Sequence, residues 1–394
     1  MHSDCSWVYL DNNATTSVDS HVVDAMLPYL QRPSANPSSA HALGAAASDA
    51  IRVARRQIQS LLGAAHEKEI LFTSGGSESN NTAILSALET QQGRNEIITS
   101  TVEHPAVLAV CDYLERAGRA KVCRIAVDES GQLDLDAYQR ALNEKTAVVS
   151  MQWANNETGA LFPIEKLAAM AHRTGALFHC DAVQAAGKLD ISVRATAVDM
   201  LSISAHKLHG PMGIGALYVR NGVPFEPLIH GGHQERRRRA GTENTVAIVG
   251  FGVAAELAAR ALPHEMSGVA ALRDLLEREI LYRIPGAIVI GGKANRLPNT
   301  LCVAFEDVEA DSVLLLLDRA FIAVSSGSAC TAGSIEPSHV LRAMKVPFAF
   351  VRGAIRFSFS RENSDEDVAR VLEVLPQVVN DLRTATMPME AAYS

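Results

Sequence analysis

Lys207, Asp181, His104 and Cys330 are the residues of this sequence whose types and settings point to chemistry. Lys207 lies in Ser-Ala-His-Lys-Leu-His-Gly-Pro-Met-Gly-Ile-Gly, residues 204–215, between apolar runs at 198–203 and 216–219. A lysine at the end of a buried strand is partly desolvated. Burial disfavours the ammonium and makes the neutral, nucleophilic amine accessible. That is what a Schiff base with pyridoxal phosphate requires. A surface turn with a solvated lysine fits the same residues, since Gly and Pro punctuate ordinary turns.

Asp181 closes an apolar strand in His179-Cys180-Asp181-Ala182-Val183-Gln184. A buried carboxylate needs a cationic partner. The pyridinium nitrogen of pyridoxal phosphate is one candidate, an Arg or Lys another, and Gln184 is placed to donate to the ring phenolate. His104 follows another strand, with Pro105 suited to a first helical turn. Its imidazole can stack on a planar cofactor and move protons, or be an ordinary polar side chain. Gly75-Gly76-Ser77 joins a strand to a helix, where backbone N–H groups and the helix dipole favour an anion such as phosphate. Ser77 can also simply cap that helix. Cys330 lies in Ser-Ser-Gly-Ser-Ala-Cys-Thr-Ala-Gly-Ser, residues 325–334, where nearly every residue is small. No packing face runs through that stretch, so it reads as a mobile loop presenting a reactive thiol. Arg356 alternates with apolar residues on a strand; a substrate carboxylate or a structural ion pair accounts for it.

These residues need a scaffold. Uninterrupted apolar runs at 69–73, 96–101, 122–127, 147–153, 176–180, 200–204 and 216–219 read as strands covered on both faces. Helical spacing at 77–90, 106–116, 135–142 and 164–173 separates most of them. The reading is an α/β fold with a seven-stranded, mainly parallel sheet, and ligands bind beyond the carboxyl ends of such strands. The polar motifs fall there. An Ala-rich helix at 245–260 leads to a smaller α+β part with strands near 287–290, 300–305 and 354–359. The expected division is a large domain over 17–260 and a small one over 261–394, joined by the N-terminal segment 1–16.

The chain has 394 residues and a net charge of −8, which does not suit a nucleic-acid binder. Its six cysteines form no CxxC pair or zinc spacing, so reduced thiols and no metal are expected. The longest apolar run, 246–255, is about half the ~20 residues a membrane helix needs. No secretory leader is legible at residues 1–7. A cytoplasmic protein without a membrane segment is the expectation.

Several motifs now stand in order: Asp11-Asn12-Asn13-Ala14-Thr15-Thr16, Asn36-Pro37-Ser38-Ser39, Glu103-His104, Asn155-Asn156-Glu157-Thr158-Gly159, residues 179–184, residues 204–210, Gly241-Thr242-Glu243-Asn244 and residues 325–331. Together they resemble the class V aminotransferase-like, pyridoxal-phosphate-dependent cysteine desulfurases, in particular the NifS-type branch. The resemblance spans about 7–383. It implies a fold type I homodimer that converts L-cysteine to L-alanine with a persulfide left on Cys330. It implies Lys207 as the Schiff-base lysine, Asp181 on the ring nitrogen, Gln184 on the phenolate, and His104 stacked on the ring. Gly76, Ser77, Ser204 and His206 would hold the phosphate, with Thr242 reaching in from the partner subunit. Asn156 and Arg356 would grip the substrate carboxylate. An iron–sulfur scaffold protein of the NifU kind, serving nitrogenase-type clusters, would accept the sulfur. Position 77 carries Ser where Thr is usual, and position 212 carries Met where Lys is usual. Alternatives are a selenocysteine lyase or other β-eliminating enzyme on the same fold, or a non-catalytic assembly subunit.

Overall fold

Each of the seven apolar runs becomes a strand of one sheet in the computed structural model, which describes residues 7–31, 35–326 and 338–386. The chain opens with β1 (Val8–Tyr9), α1 (Ser20–Gln31) and α2 (Ala42–Leu61). Strand and helix then alternate: β2 (Ile70–Thr73), α3 (Gly76–Thr90), β3 (Glu96–Ser100), α4 (Pro105–Arg116), β4 (Lys121–Ile125), α5 (Leu135–Ala141), β5 (Thr146–Gln152), α6 (Ile164–His172) and β6 (Leu177–Asp181). Next come β7 (Met200–Ser204) and β8 (Gly215–Val219). The sheet order is β2-β8-β7-β6-β5-β3-β4. All pairs are parallel except those of β8, which runs antiparallel to β2 and β7. Every residue of β5, β6, β7 and β8 is buried, as helices on both faces require.

The carboxyl ends of the parallel strands meet at one edge. There β2 leads to Gly76, β3 to His104, β5 to Asn156, β6 ends at Asp181, and β7 leads to Lys207. Because β8 is reversed, its beginning lies at this edge. A Cβ on Gly215 would come within 2.7 Å of the Gly75 Cα, so only glycine lets the phosphate-type turn rest on β8.

After a short kinked turn, α7 (Gln234–Arg237), the chain enters α8 (Thr245–His264) and α9 (Ala270–Arg283). The helical stretch Thr245–Arg283 is long and apolar enough to cross a membrane by length and composition. Here Ile248, Phe251, Ala254 and Ala258 of α8 are buried in the main core.

A four-stranded sheet of order β12-β13-β10-β9 follows, built from β9 (Ala287–Ile290), β10 (Thr300–Phe305), β12 (Ser325–Ser326) and β13 (Ala354–Ser358). Between them lie α10 (Ala310–Arg319), β11 (Ile322–Ala323), α11 (His339–Ala343) and α12 (Phe348–Val351), and α13 (Asp365–Thr386) ends the described chain. Alternation along these strands divides their faces. Cys302, Ala304 and Ala354 join the main core, while Leu301, Val303, Ile355 and Phe357 join a second core with α9 and α13. The N-terminal segment belongs to this second body: β1 pairs in parallel with β11, and Val8 and Leu10 are buried in its core.

Candidate active site

A cavity of about 420 Å³ opens at the carboxyl edge of the large sheet. Gly76, Ser77, His104, Asn156, Asp181, Gln184, Ser204, His206, Lys207 and Arg356 all line it. Thr242 is exposed and is not part of this lining.

Lys207 follows β7 on a short helical turn, Ala205–Lys207. Its Nζ donates to the carbonyls of Asn13 and Ala14, each at 2.5 Å. Asp181 is 7% exposed, and its partners are neutral: Asn80 Nδ2 donates to Oδ2 at 2.6 Å and the Val183 N–H to Oδ1 at 3.0 Å. The cation that a buried carboxylate calls for is therefore not an arginine or lysine paired with it among the described residues.

His104 caps α4, and its Nδ1 accepts from the Ala106 N–H at 3.1 Å. In the neutral ring that bond places the proton on Nε2. Burial, partly opposed by the Asp181 charge, holds the ring below the usual histidine value. Burial, with Lys207 and Lys188 nearby, pulls His206 down to about 4, so it is neutral near pH 7. Its Nδ1 lies 3.2 Å from the Thr15 hydroxyl. Helix α3 begins at Gly76 with Gly75 as its N-cap, so Ser77 sits inside the first turn rather than capping it. The first N–H groups of α3 lack intrahelical partners and face an anion-binding position.

Arg356 is wholly buried. It pairs with Asp11 at 2.7 Å, the structural ion pair of its sequence reading, and it also lines the cavity. Its Nη1 donates to the Asn156 carbonyl at 3.0 Å, and its Nε has no partner among the described residues.

The class-V aminotransferase family model matches residues 8–371. A cysteine desulfurase of Gluconacetobacter diazotrophicus is 61% identical over 376 residues, covering 95% of this chain and 94% of that protein. The chain belongs to the cysteine desulfurases of the class-V aminotransferase family. The NifS cysteine desulfurase of Azotobacter vinelandii is 53% identical, over 96% of this chain and 94% of its own. A solved NifS-like protein superposes with a TM-score of 0.89 at 37% identity, over 95% of this chain and all of that one. The family depends on pyridoxal phosphate, and this desulfurase is an enzyme of that kind.

The residues present fit that cofactor. Asn80 Oδ1, Gln152 Nε2 and Arg356 Nε are buried on the lining and have no partner among the described residues. A Cβ at Gly76 would fall 2.8 Å from Val183 Cγ2, so the turn at the start of α3 has no room for a side chain. Asp181 has no arginine or lysine paired with it among the described residues.

Cys330 lies outside the described residues. Its described flanks lie beside the cavity: Ser325 pairs with Arg356 across the sheet, and Ser338 donates to Glu157, next to Asn156, at 2.5 Å. Position 330 is four residue steps beyond Ser326, a reach of at most about 14 Å. The described cysteines offer no rival at the cavity. Burial pushes the Cys111 and Cys302 thiols up to about 12 and raises Cys180 well above its ordinary value, and none of these or Cys123 lines the site. Met212 is 73% exposed, on the surface of the turn after Lys207.

Sequence reasoning gave no role to Asn13, Asn80, Gln152 and Lys188. Asn13 stood in a quoted motif, and Lys188 is a lone charge among apolar residues 185–189. Those were the available signals.

Proposed function

We propose that this desulfurase turns L-cysteine into L-alanine by passing the sulfur to Cys330 as a persulfide. The observation that carries the reading is that Lys207, the buried Asp181 carboxylate and Arg356 share one cavity. When bound, pyridoxal phosphate supplies the electron sink that loosens bonds at the substrate's α and β carbons.

The chain's own residues do the rest. Lys207 holds the cofactor and yields its place to the substrate amine. Asp181 keeps the ring nitrogen protonated, and the α3 N-terminus with Ser77, Ser204 and His206 holds the phosphate. Gln184 donates to the phenolic oxygen. Arg356, already fixed by Asp11, meets the substrate carboxylate with Asn156 beside it. His104 stacks on the ring and moves a proton at Nε2. The Cys330 thiolate attacks the substrate sulfur. An S–S bond forms, the C–S bond breaks, and its electron pair takes up a proton at the β carbon. Cysteine and a thiol become alanine and a persulfide, in balance.

The large and small domains divide at 260/261, a reading supported by the second core of α9, β10, β13 and α13. The working form is a cytoplasmic homodimer in which the exposed Thr242 of one subunit completes the phosphate site of the other. The acceptor is an iron–sulfur scaffold of the NifU kind, supported by the likeness to a NifS protein. Mass spectrometry of the holoenzyme given L-cysteine tests the reading. A gain of one sulfur atom on Cys330 is expected; alanine formed with Cys330 unmodified throughout would overturn it.

A further inference from the structure

Lys188 is 5% exposed and sits four residues after Gln184, in the turn that follows β6. Its Nζ donates to Gln184 Oε1 at 3.0 Å and to Asn13 Oδ1 at 3.3 Å. Lys207 and Arg356 repel it, and Glu265 attracts it. Burial, with Lys207 beside it, pulls the ammonium down to about 7. Packing alone does not call for such a group, since a methionine fills similar space without a charge.

The chemistry of the contact shows what the lysine does. A carboxamide has two orientations, with oxygen and nitrogen exchanged. The Lys188 nitrogen donates to two amide oxygens, so it is the Gln184 oxygen and not its NH2 that faces Lys188. The NH2 group then points the other way, and one of its hydrogens goes to the Asn13 carbonyl at 2.9 Å. The second is left for the cavity that Gln184 lines. We propose that Lys188 is a positioning residue for the cofactor: it locks the Gln184 carboxamide so that an N–H, not a lone pair, meets the phenolic oxygen of pyridoxal phosphate. The same ammonium orients Asn13, whose backbone oxygen holds Lys207. The inference rests on the assignment of Gln184 to the phenolic oxygen.

The test follows the visible absorbance of the bound cofactor against pH in the holoenzyme. Gln184→Ala removes the donor and makes the phenolate more basic, raising the titration midpoint by about one pH unit. Lys188→Met is expected to raise it by a similar amount, and to add nothing in the Gln184→Ala background. Lys188→Gln, which keeps a neutral donor for Oε1, is expected to leave the midpoint near wild type. It also serves if Lys188→Met fails to fold. A midpoint unmoved by Gln184→Ala would overturn the Gln184 assignment and this inference with it. A midpoint moved by Gln184→Ala but not by Lys188→Met would overturn the role of Lys188 alone. Equal shifts from Lys188→Met in both backgrounds, or a full shift in Lys188→Gln, would show a direct effect of charge and overturn it as well.

Discussion

The backbone oxygen of Asn13 lies 2.5 Å from the Lys207 nitrogen, which ties the reactive amine to a segment 194 positions away. The same oxygen accepts from Gln184, and the Asn13 side chain reaches Asn156, Thr300, Asn299 and Lys188. Fixed acceptors hold the Lys207 amine at the cavity wall, where a cofactor carbonyl would meet it. This places the reacting atom without an ordering step at the moment of reaction.

Lys207→Ala is expected to leave the fold in place, since the side chain lines a cavity and its described hydrogen bonds go to the backbone oxygens of Asn13 and Ala14. Repeated alanine formation should fall by at least about a thousandfold, because the variant lacks both the covalent anchor and an amine to displace the product. A steady-state alanine assay checks this, and near-normal turnover would contradict it.

Asp181→Asn keeps the side chain's shape and removes the charge facing the ring nitrogen. The expected outcome is a holoenzyme whose kcat is about 100- to 1000-fold lower, comparable to losing one preorganised charge-stabilising group. Cofactor content and kcat measured on the same preparation separate this from simple loss of the cofactor.

Cys330→Ala should bind pyridoxal phosphate with an unchanged visible spectrum and release no alanine from cysteine. Substantial alanine would contradict the persulfide route; pyruvate, ammonia and sulfide in its place would show that the sulfur leaves by elimination, as in a β-eliminating lyase.

His179 governs part of the acid sensitivity. Its ring is wholly buried on β6 between the Ser150 and Ser202 hydroxyls, at 2.8 and 2.9 Å. Burial depresses it to about 3. The unfolded chain therefore binds a proton below about pH 6.5 that the folded chain refuses down to about 3, and stability falls as pH falls through that window. The contribution is up to about 1.4 kcal/mol per pH unit. Denaturant titrations at pH 7, 6 and 5 should show a shallower loss for His179→Gln than for wild type; parallel losses would remove His179 from the account.

Arg55 and Glu235 form a buried bidentate pair, with N–O distances of 2.7 and 2.6 Å, and Arg55 also donates to the Ile70 carbonyl. Glu235 accepts from the Phe72 N–H as well, so the pair pins the segment around α7 to β2. Arg55→Leu leaves that carboxylate buried and unpaired, at an expected cost of about 3–5 kcal/mol. A urea midpoint indistinguishable from wild type would contradict it.

The large sheet was legible because a strand covered on both faces must be mostly apolar and free of charge, as 147–152 and 200–204 are. The site edge followed, since polar residues after such runs have one place to go. The two-residue strands β11 and β12 carry no periodicity and left no trace. Asp181 was expected to meet a cation, the cofactor's ring nitrogen or an Arg or Lys; among the described residues its oxygens meet Asn80 and a backbone N–H. Asn13 and Lys188 escaped notice because their partners come from distant segments, and an asparagine or lone lysine carries no local signature of such contacts. Arg356 had two open readings; the ion pair with Asp11 is present, and the side chain also lies on the cavity wall.

The route of the first dozen residues bears on how this enzyme is made. Val8 and Tyr9 have their strand partners at Ile322 and Ala323, and Asp11 meets Arg356, so the opening of the chain waits for its far end. A ribosome must release some 360 residues' worth of backbone before the carbonyls that hold Lys207 can be set in place. Such late closure is slow and leaves apolar surface exposed in the meantime. The nascent large sheet, however well formed, emerges as a scaffold whose catalytic floor is laid last.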